Sequence, residues 1–324
     1  MSRVAIIGGS GHVGTYLVPR LVEAGFDVCN VTRGQRQPYS HHGAWKAVQN
    51  VVIDREAEEK AGTFGRALRN LKADIIVDMI CFMPDSARQM VEALNGHVGH
   101  VLHCGTIWVH GPSVVVPTTE AQRRRPFGDY GMRKAAIETY LLDEARRNRF
   151  PATVLHPGHI VGEGWNPLNP AGHFDPAVFS KLARGEELAL PNLGMETVHH
   201  VHADDVAQAF MKAIANWRVS VGEAFHVVSP AAVTLRGYAE AVAGWFGRDP
   251  QLVYLPWEQW KAVHTAEEAA ATWDHIAHSP SCSIDKARRL LGYEPRYTSF
   301  EAVLESVKWL VARGKINTGQ SGGS

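Results

Sequence analysis

Residues 3–25 read RVAIIGGSGHVGTYLVPRLVEAG, and this stretch decides the fold. RVAII is a short apolar run of the kind that forms a buried strand. HVGTYLVPRLVEA has helical spacing and stops at Gly25. Between them Gly8, Gly11 and Gly14 fall at G-x-x-G-x-x-G spacing. Glycine allows a tight turn and close backbone approach between a strand and a helix. The helix N-terminus, opening with His12 and Val13, then presents free N–H groups to a pyrophosphate.

The same unit repeats outward from this stretch. DVCNVTR, AVQNVVID, ADIIVDMIC, HVLHCGT and ATVLHPGHIVG are further strand-like runs, separated by helical patterns such as GRALRNL and DSARQMVEALNG. The runs are continuously apolar, as strands buried on both faces are. Repeated β-α units predict an α/β fold with a doubly wound parallel sheet, the Rossmann arrangement. After Gly162 the Pro- and Gly-rich EGWNPLNPAGHF breaks the alternation. The expected organisation is a dinucleotide-binding domain over residues 1–165, with a return near 203–229. Residues 166–202 and 230–313 would form a smaller, discontinuous substrate lobe, and 314–324 a disordered tail.

Composition excludes several classes. The 324 residues are 45% hydrophobic, enough for a large core, and Lys+Arg and Asp+Glu both number 33. A net charge of zero gives no field for nucleic acid or an anionic membrane, and no apolar run reaches membrane-span length. Cys29, Cys81, Cys104 and Cys282 form no disulfide or metal pattern and read as reduced thiols of a cytoplasmic protein.

The end of the second strand selects the cofactor. An acidic residue there would hold the ribose of NAD; NVTRG has Thr32 and Arg33 instead. Arg33 suits a 2′-phosphate, so NADP is favoured, with NAD the alternative. Asp54, ending VVID, reads either as an adenine contact or as a turn former.

In FGDYGMRKAAIETYLLDEARR, residues 127–147, Tyr130 and Lys134 lie four apart on one helical face. Glycine loop, HCGTIWVHG and YGMRK, in that order, resemble the extended short-chain dehydrogenase/reductases, the NAD(P)-dependent epimerase/dehydratase family. VHADDVAQAF and SIDKARRLLGYEP match further segments of it. The resemblance implies Thr106, Tyr130 and Lys134 as catalytic Ser/Thr, acid/base and its partner. Thr106 also reads as an ordinary strand-end threonine. A tyrosine with pKa about 10 is a poor base near neutrality, and a nearby ammonium favours its phenolate. LHPGHIVGEG resembles the family's loop beside the nicotinamide, placing His156, Pro157, Gly158 and His159 there.

Departures narrow the substrate. Ile107 and Trp108 follow Thr106 where sugar-nucleotide dehydratases carry Asp-Glu. METVHHVHADD has Val198, His199 and His200 where epimerases usually carry an arginine for the pyrophosphate. Trp108, His110, Trp165, His173 and His200 suggest a pocket for an uncharged polyol or small carbonyl. His200 and His202 also invite a metal reading, but no cysteine or glutamate joins them at recognisable spacing, and no metal is expected. The resulting reading is an oxidoreductase or epimerase moving hydride between nicotinamide and a carbinol carbon of a sugar-like small molecule. A nucleotide-sugar 4-epimerase and a non-catalytic NADP-binding protein are the alternatives. The helices at Ser86–Leu94 and Arg133–Ala145 would serve either a homodimer or the monomer core.

Overall fold

The computed structural model describes residues 1–319. Its strands are β1 (Arg3–Ile7), β2 (Asp27–Thr32), β3 (Gln49–Val52), β4 (Ile75–Asp78), β5 (His100–Cys104), β6 (Ala152–Pro157), β7 (His159–Val161), β8 (Glu187–Pro191), β9 (Thr197–Val198), β10 (His200–His202), β11 (Ala224–Val227), β12 (Val233–Thr234) and β13 (Gln251–Leu255). The helices of the first half are α1 (His12–Glu23), α2 (Arg55–Lys60), α3 (Phe64–Asn70), α4 (Pro84–Leu94) and α5 (Gly128–Asn148). The second half adds α6 (Ala177–Arg184), α7 (Ala203–Ala215), α8 (Trp217–Ser220), α9 (Leu235–Trp245), α10 (Trp257–Ala262), α11 (Ala266–His278), α12 (Asp285–Leu291) and α13 (Ser299–Ala312).

Seven strands form one parallel sheet in the order β11-β6-β5-β4-β1-β2-β3. This is the expected doubly wound α/β sheet, and its order reverses between β1 and β4, where such folds bind their ligands. The alternation of β1 explains its two layers. Val4 and Ile6 pack with Leu17 of α1 and Phe210 of α7; Ala5 and Ile7 pack with Phe64 of α3, Met90 of α4 and Ile137 of α5. Each fully buried aliphatic side chain contributes about 1.5–3 kcal/mol. EAFHVVS does return to the sheet, as β11 beside β6.

ATVLHPGHIVG does not form one strand. The chain leaves the sheet at Gly158, and β7 pairs in parallel with β10 instead. A Cβ on Gly158 would stand 2.3 Å from the His199 carbonyl oxygen, so only glycine permits this crossing. A third core lies beyond it, with Phe179, Tyr238, Trp260, Val303 and Leu310 buried together. Small sheets β8–β13 and β9–β12 belong to this region.

The tail differs from its expectation. Ile316 is buried, and Asn317 N donates to Ser180 Oγ at 3.0 Å, so 314–319 dock against α6. Residues 320–324 of that segment lie outside the described residues. All four cysteines are buried free thiols. No helix among the described residues is long and apolar enough to cross a membrane.

Candidate active site

The glycine loop follows β1. Gly8 has φ +87° and donates to the Val31 carbonyl at 2.9 Å. A Cβ on Gly14 would meet the Gly9 carbonyl oxygen at 1.9 Å, which lets α1 start directly against the loop. No side chain caps α1, so the N–H groups of its first turn stay available to an anion. Val13 is a core residue, so only its backbone faces this turn. His12 Nε2 donates to the Glu163 carbonyl at 3.1 Å, and its ring stacks on Trp165 with centroids 5.1 Å apart. Tyr39 joins them at 5.4 Å from His12. Trp165 therefore lies with the glycine loop, apart from Trp108, and not with the residues predicted to bind substrate.

At the end of β2, Thr32 Oγ1 accepts from Gly34 N at 3.2 Å. Arg33 is exposed and has no ion-pair partner among the described residues; Arg36, which the sequence reading passed over, is likewise unpaired. Asp54 Oδ1 accepts from Ala57 N at 3.2 Å and caps α2, the turn-forming alternative.

Tyr130 stands in the first turn of α5, where Gly128, at φ +65°, admits the chain to the helix. Thr106 follows β5 and caps the short turn Ile107–His110 through Trp108 N at 3.3 Å. Burial in the cleft and, secondarily, the Cys104 thiol raise Tyr130 to about 12, against a lowering hydrogen bond from Thr106. Tyr130 and Thr106 thus both lie at the C-terminal edge of the sheet, with the Tyr130 ring 6.0 Å from that of Trp108. Lys134 is almost fully buried, and its Nζ donates at 2.8 Å to the carbonyls of both Cys81 and Cys104. Desolvation lowers its pKa. Its cation is spent on two strand ends beside the cleft.

Trp108 is an aromatic centre. His278 stacks on it at 4.1 Å, with Phe127 on the other face of His278 at 4.0 Å. Tyr130 meets Trp108 edge-on at 6.0 Å, and His275 and His159 lie at 5.1 and 6.5 Å. One face of the indole is thus taken by protein. His200 is fully buried 6.0 Å from His159, which follows Pro157 and Gly158 at the start of β7. His275 and His278, three apart on α11, had no motif to mark them; their spacing on one helical face was the available signal.

His110 lies elsewhere, in a buried polar cluster. His110, His156 and His226 each bring a ring nitrogen within 4.8 Å of the others, as metal ligands do. Their partners fix another arrangement. Arg124 donates to His110 Nδ1 at 3.2 Å, so His110 carries its proton on Nε2. His226 Nδ1 donates to the Ser283 carbonyl at 3.0 Å, leaving Nε2 to accept from His110 at 2.7 Å. Arg124 also binds Glu138 at 2.7 Å, whose other oxygen is 3.0 Å from His156. His200 and His202 do not converge on a metal either: His202 binds Glu305 at 2.8 Å and caps α7. His173 accepts from Asp175 N and lies near Trp260 and His264, in the third core.

A family model described as the NAD dependent epimerase/dehydratase family matches residues 4–227. The chain belongs to this family. It is similar to 2′-dehydrokanamycin reductase of Streptomyces kanamyceticus, 26% identical over 99% of this chain and 88% of the relative. Its fold matches UDP-glucose 4-epimerase of Thermotoga maritima, solved with UDP-glucose, at TM-score 0.72 and 20% identity, covering 96% and 99% of the two chains. It also matches dTDP-glucose 4,6-dehydratase of Bacillus anthracis, solved with NAD, at TM-score 0.74 and 15% identity, covering 97% and 98%. The chain is accordingly an NAD(P)-dependent enzyme of the epimerase/dehydratase type.

Proposed function

We propose that this protein moves a hydride between C4 of a nicotinamide and a carbinol or ketone carbon of a sugar-like substrate, with Tyr130 handling the proton on the substrate oxygen. The observation that supports the reading is that Thr106, just after β5, and Tyr130, in the first turn of α5 with its ring 6.0 Å from that of Trp108, share the sheet edge that also holds the glycine loop. The uncapped first turn of α1 suits the cofactor pyrophosphate. When bound, the cofactor supplies the hydride acceptor or donor. Tyr130 then gives or takes the proton, Thr106 orients the substrate oxygen, and Lys134 holds the strand ends and the ribose side of the cleft.

Unpaired Arg33 supports NADP over NAD. Four buried, free thiols fit a cytoplasmic location, and α4 and α5 offer the face for a homodimer. Relatives named for 2′-dehydrokanamycin and for UDP-glucose support a sugar as the class. The test is incubation of the enzyme with NADP or NAD and a panel of sugars and keto-sugars. Accumulating reduced nicotinamide identifies a dehydrogenase. Sugar interconversion with cofactor retained and no net reduction identifies an epimerase. Failure to bind either cofactor by calorimetry would remove the reading.

A further inference from the structure

Three imidazoles, His159, His275 and His278, pack around Trp108, whose indole also meets Tyr130, and a fourth, His200, lies 6.0 Å from His159; hydrogen bonds fix the tautomers of the first three. His159 Nδ1 lies 3.2 Å from the His199 carbonyl, His275 Nδ1 2.6 Å from the Ala271 carbonyl, and His278 Nδ1 2.5 Å from the Asp274 carbonyl. A carbonyl only accepts, so each Nδ1 carries the proton and each Nε2 keeps a lone pair. The Nε2 atoms of His159 and His278 are buried without any partner, as are both nitrogens of His200. An unpartnered buried polar atom is destabilising by about 1–3 kcal/mol, so a set of them beside a reaction centre marks groups kept for a ligand.

The rings are close enough to act together. His159 and His275 have centroids 5.0 Å apart, and Phe174 meets His275 edge-on at 5.7 Å. Burial lowers all four: His275 to about 4, His200 to about 3, His159 well below its usual value, and His278 in the same direction. The cluster is therefore neutral near pH 7. The rings packed against these four imidazoles are those of Trp108, Phe127, Phe174, Tyr238 and one another.

The geometry points to a recognition cage in which the Nε2 atoms of His159, His275 and His278 accept hydrogen bonds from the hydroxyls of a sugar or polyol that carries no phosphate. Lone-pair acceptors and aromatic edges suit a donor-rich ligand. They offer nothing to a diphosphate, which accepts hydrogen bonds and requires cations. This substrate class rests on the proposed hydride transfer only for the place of Tyr130 at the reacting carbon.

The test is calorimetry on the enzyme saturated with NADP. The probes are glucose, galactose, glucosamine, their monodeoxy analogues, uridine diphosphate and inorganic phosphate. At least one free sugar should bind more tightly than uridine diphosphate, and removal of one of its hydroxyls should weaken binding. His278→Phe keeps a ring between Trp108 and Phe127 but deletes the acceptor, and His275→Phe does the same on the next turn. Each should weaken that sugar by roughly three- to tenfold. Each should also abolish the preference for the hydroxylated sugar over one deoxy analogue. A loss of packing alone would leave that preference intact. Uridine diphosphate binding more tightly than every free sugar, no free sugar binding at all, or both variants retaining the hydroxyl preference would overturn the cage. Sugar binding without hydride transfer would instead overturn the proposed reaction and leave the cage standing.

Discussion

The ammonium of Lys134 donates to the carbonyl oxygen of Cys104 at 2.8 Å, at the very end of β5 and two residues before Thr106. A second bond at the same distance reaches Cys81, just beyond β4. One side chain therefore fastens α5, which carries Tyr130, to the ends of both strands flanking the cleft. Lys134→Met removes both bonds and leaves two carbonyls unpaired, which typically destabilises by about 1–3 kcal/mol. Thermal unfolding should show a lower Tm, and calorimetry a weaker cofactor. A variant with the wild-type Tm would contradict the fastening role, whatever its activity.

Tyr130→Phe deletes one oxygen and leaves the ring edge-on to Trp108. The Tm should hardly move, while turnover on a confirmed substrate falls by about two to four orders of magnitude, the usual share of general acid–base catalysis. The phenol is held near 12 in the ligand-free protein by burial and by Cys104. A catalytic base must ionise much lower, so positive charge on the bound oxidised nicotinamide should pull it down. Phenolate absorbance of wild type minus Tyr130→Phe, titrated with and without oxidised cofactor, measures this directly. Identical titrations in the two states would refute it.

Arg33 is exposed at the end of β2 with no ion-pair partner among the described residues, so its charge is free for a 2′-phosphate. Arg33→Asp should weaken NADP by roughly tenfold to a hundredfold, the range of a lost charge-assisted bond plus a new repulsion, and affect NAD much less. Parallel titrations of the two cofactors decide it. Equal losses would reassign Arg33 to the solvent-facing turn.

The sheet was legible because buried parallel strands leave continuous apolar runs and the glycine loop fixes where the first one ends. Strand β7 was not: its run is unbroken in sequence, and only the His199 carbonyl pressed against Gly158 explains why the chain departs there. In the site, the order of Thr106, Tyr130 and Lys134 along the chain made their places after β5 and in the first turns of α5 legible, while their roles stay with the proposed function. Trp165 was assigned to substrate because an aromatic in a Pro-rich loop shows no address; its partner, His12, lies about 150 residues away. His275 and His278 escaped because α11 lies near the far end of the chain, and their Nε2 lone pairs are set only by the bonds that Nδ1 makes to their own helix's carbonyls.

The buried imidazoles predict an acid-labile protein. Burial lowers His12, His100, His199 and His275 to about 4, and His110 and His200 to about 3. In the unfolded chain these rings titrate near their ordinary value of about 6.5. Between that value and 4 the unfolded state binds more protons than the folded one, so stability rises with pH across this window and falls as the pH drops through it. The loss is complete only once the folded rings themselves protonate. Tm should be flat above about pH 7 and decline steadily from about pH 6.5 to pH 4, with net proton uptake on unfolding at pH 5.5. His100→Asn should lessen that decline. Its ring is buried against Thr153 at 2.8 Å in the interior of the sheet, away from Tyr130, so the effect reads protonation and not catalysis. A Tm unchanged between pH 7 and pH 5 would mean that the imidazoles are hydrated or paired well enough in the folded state to titrate as they do in water.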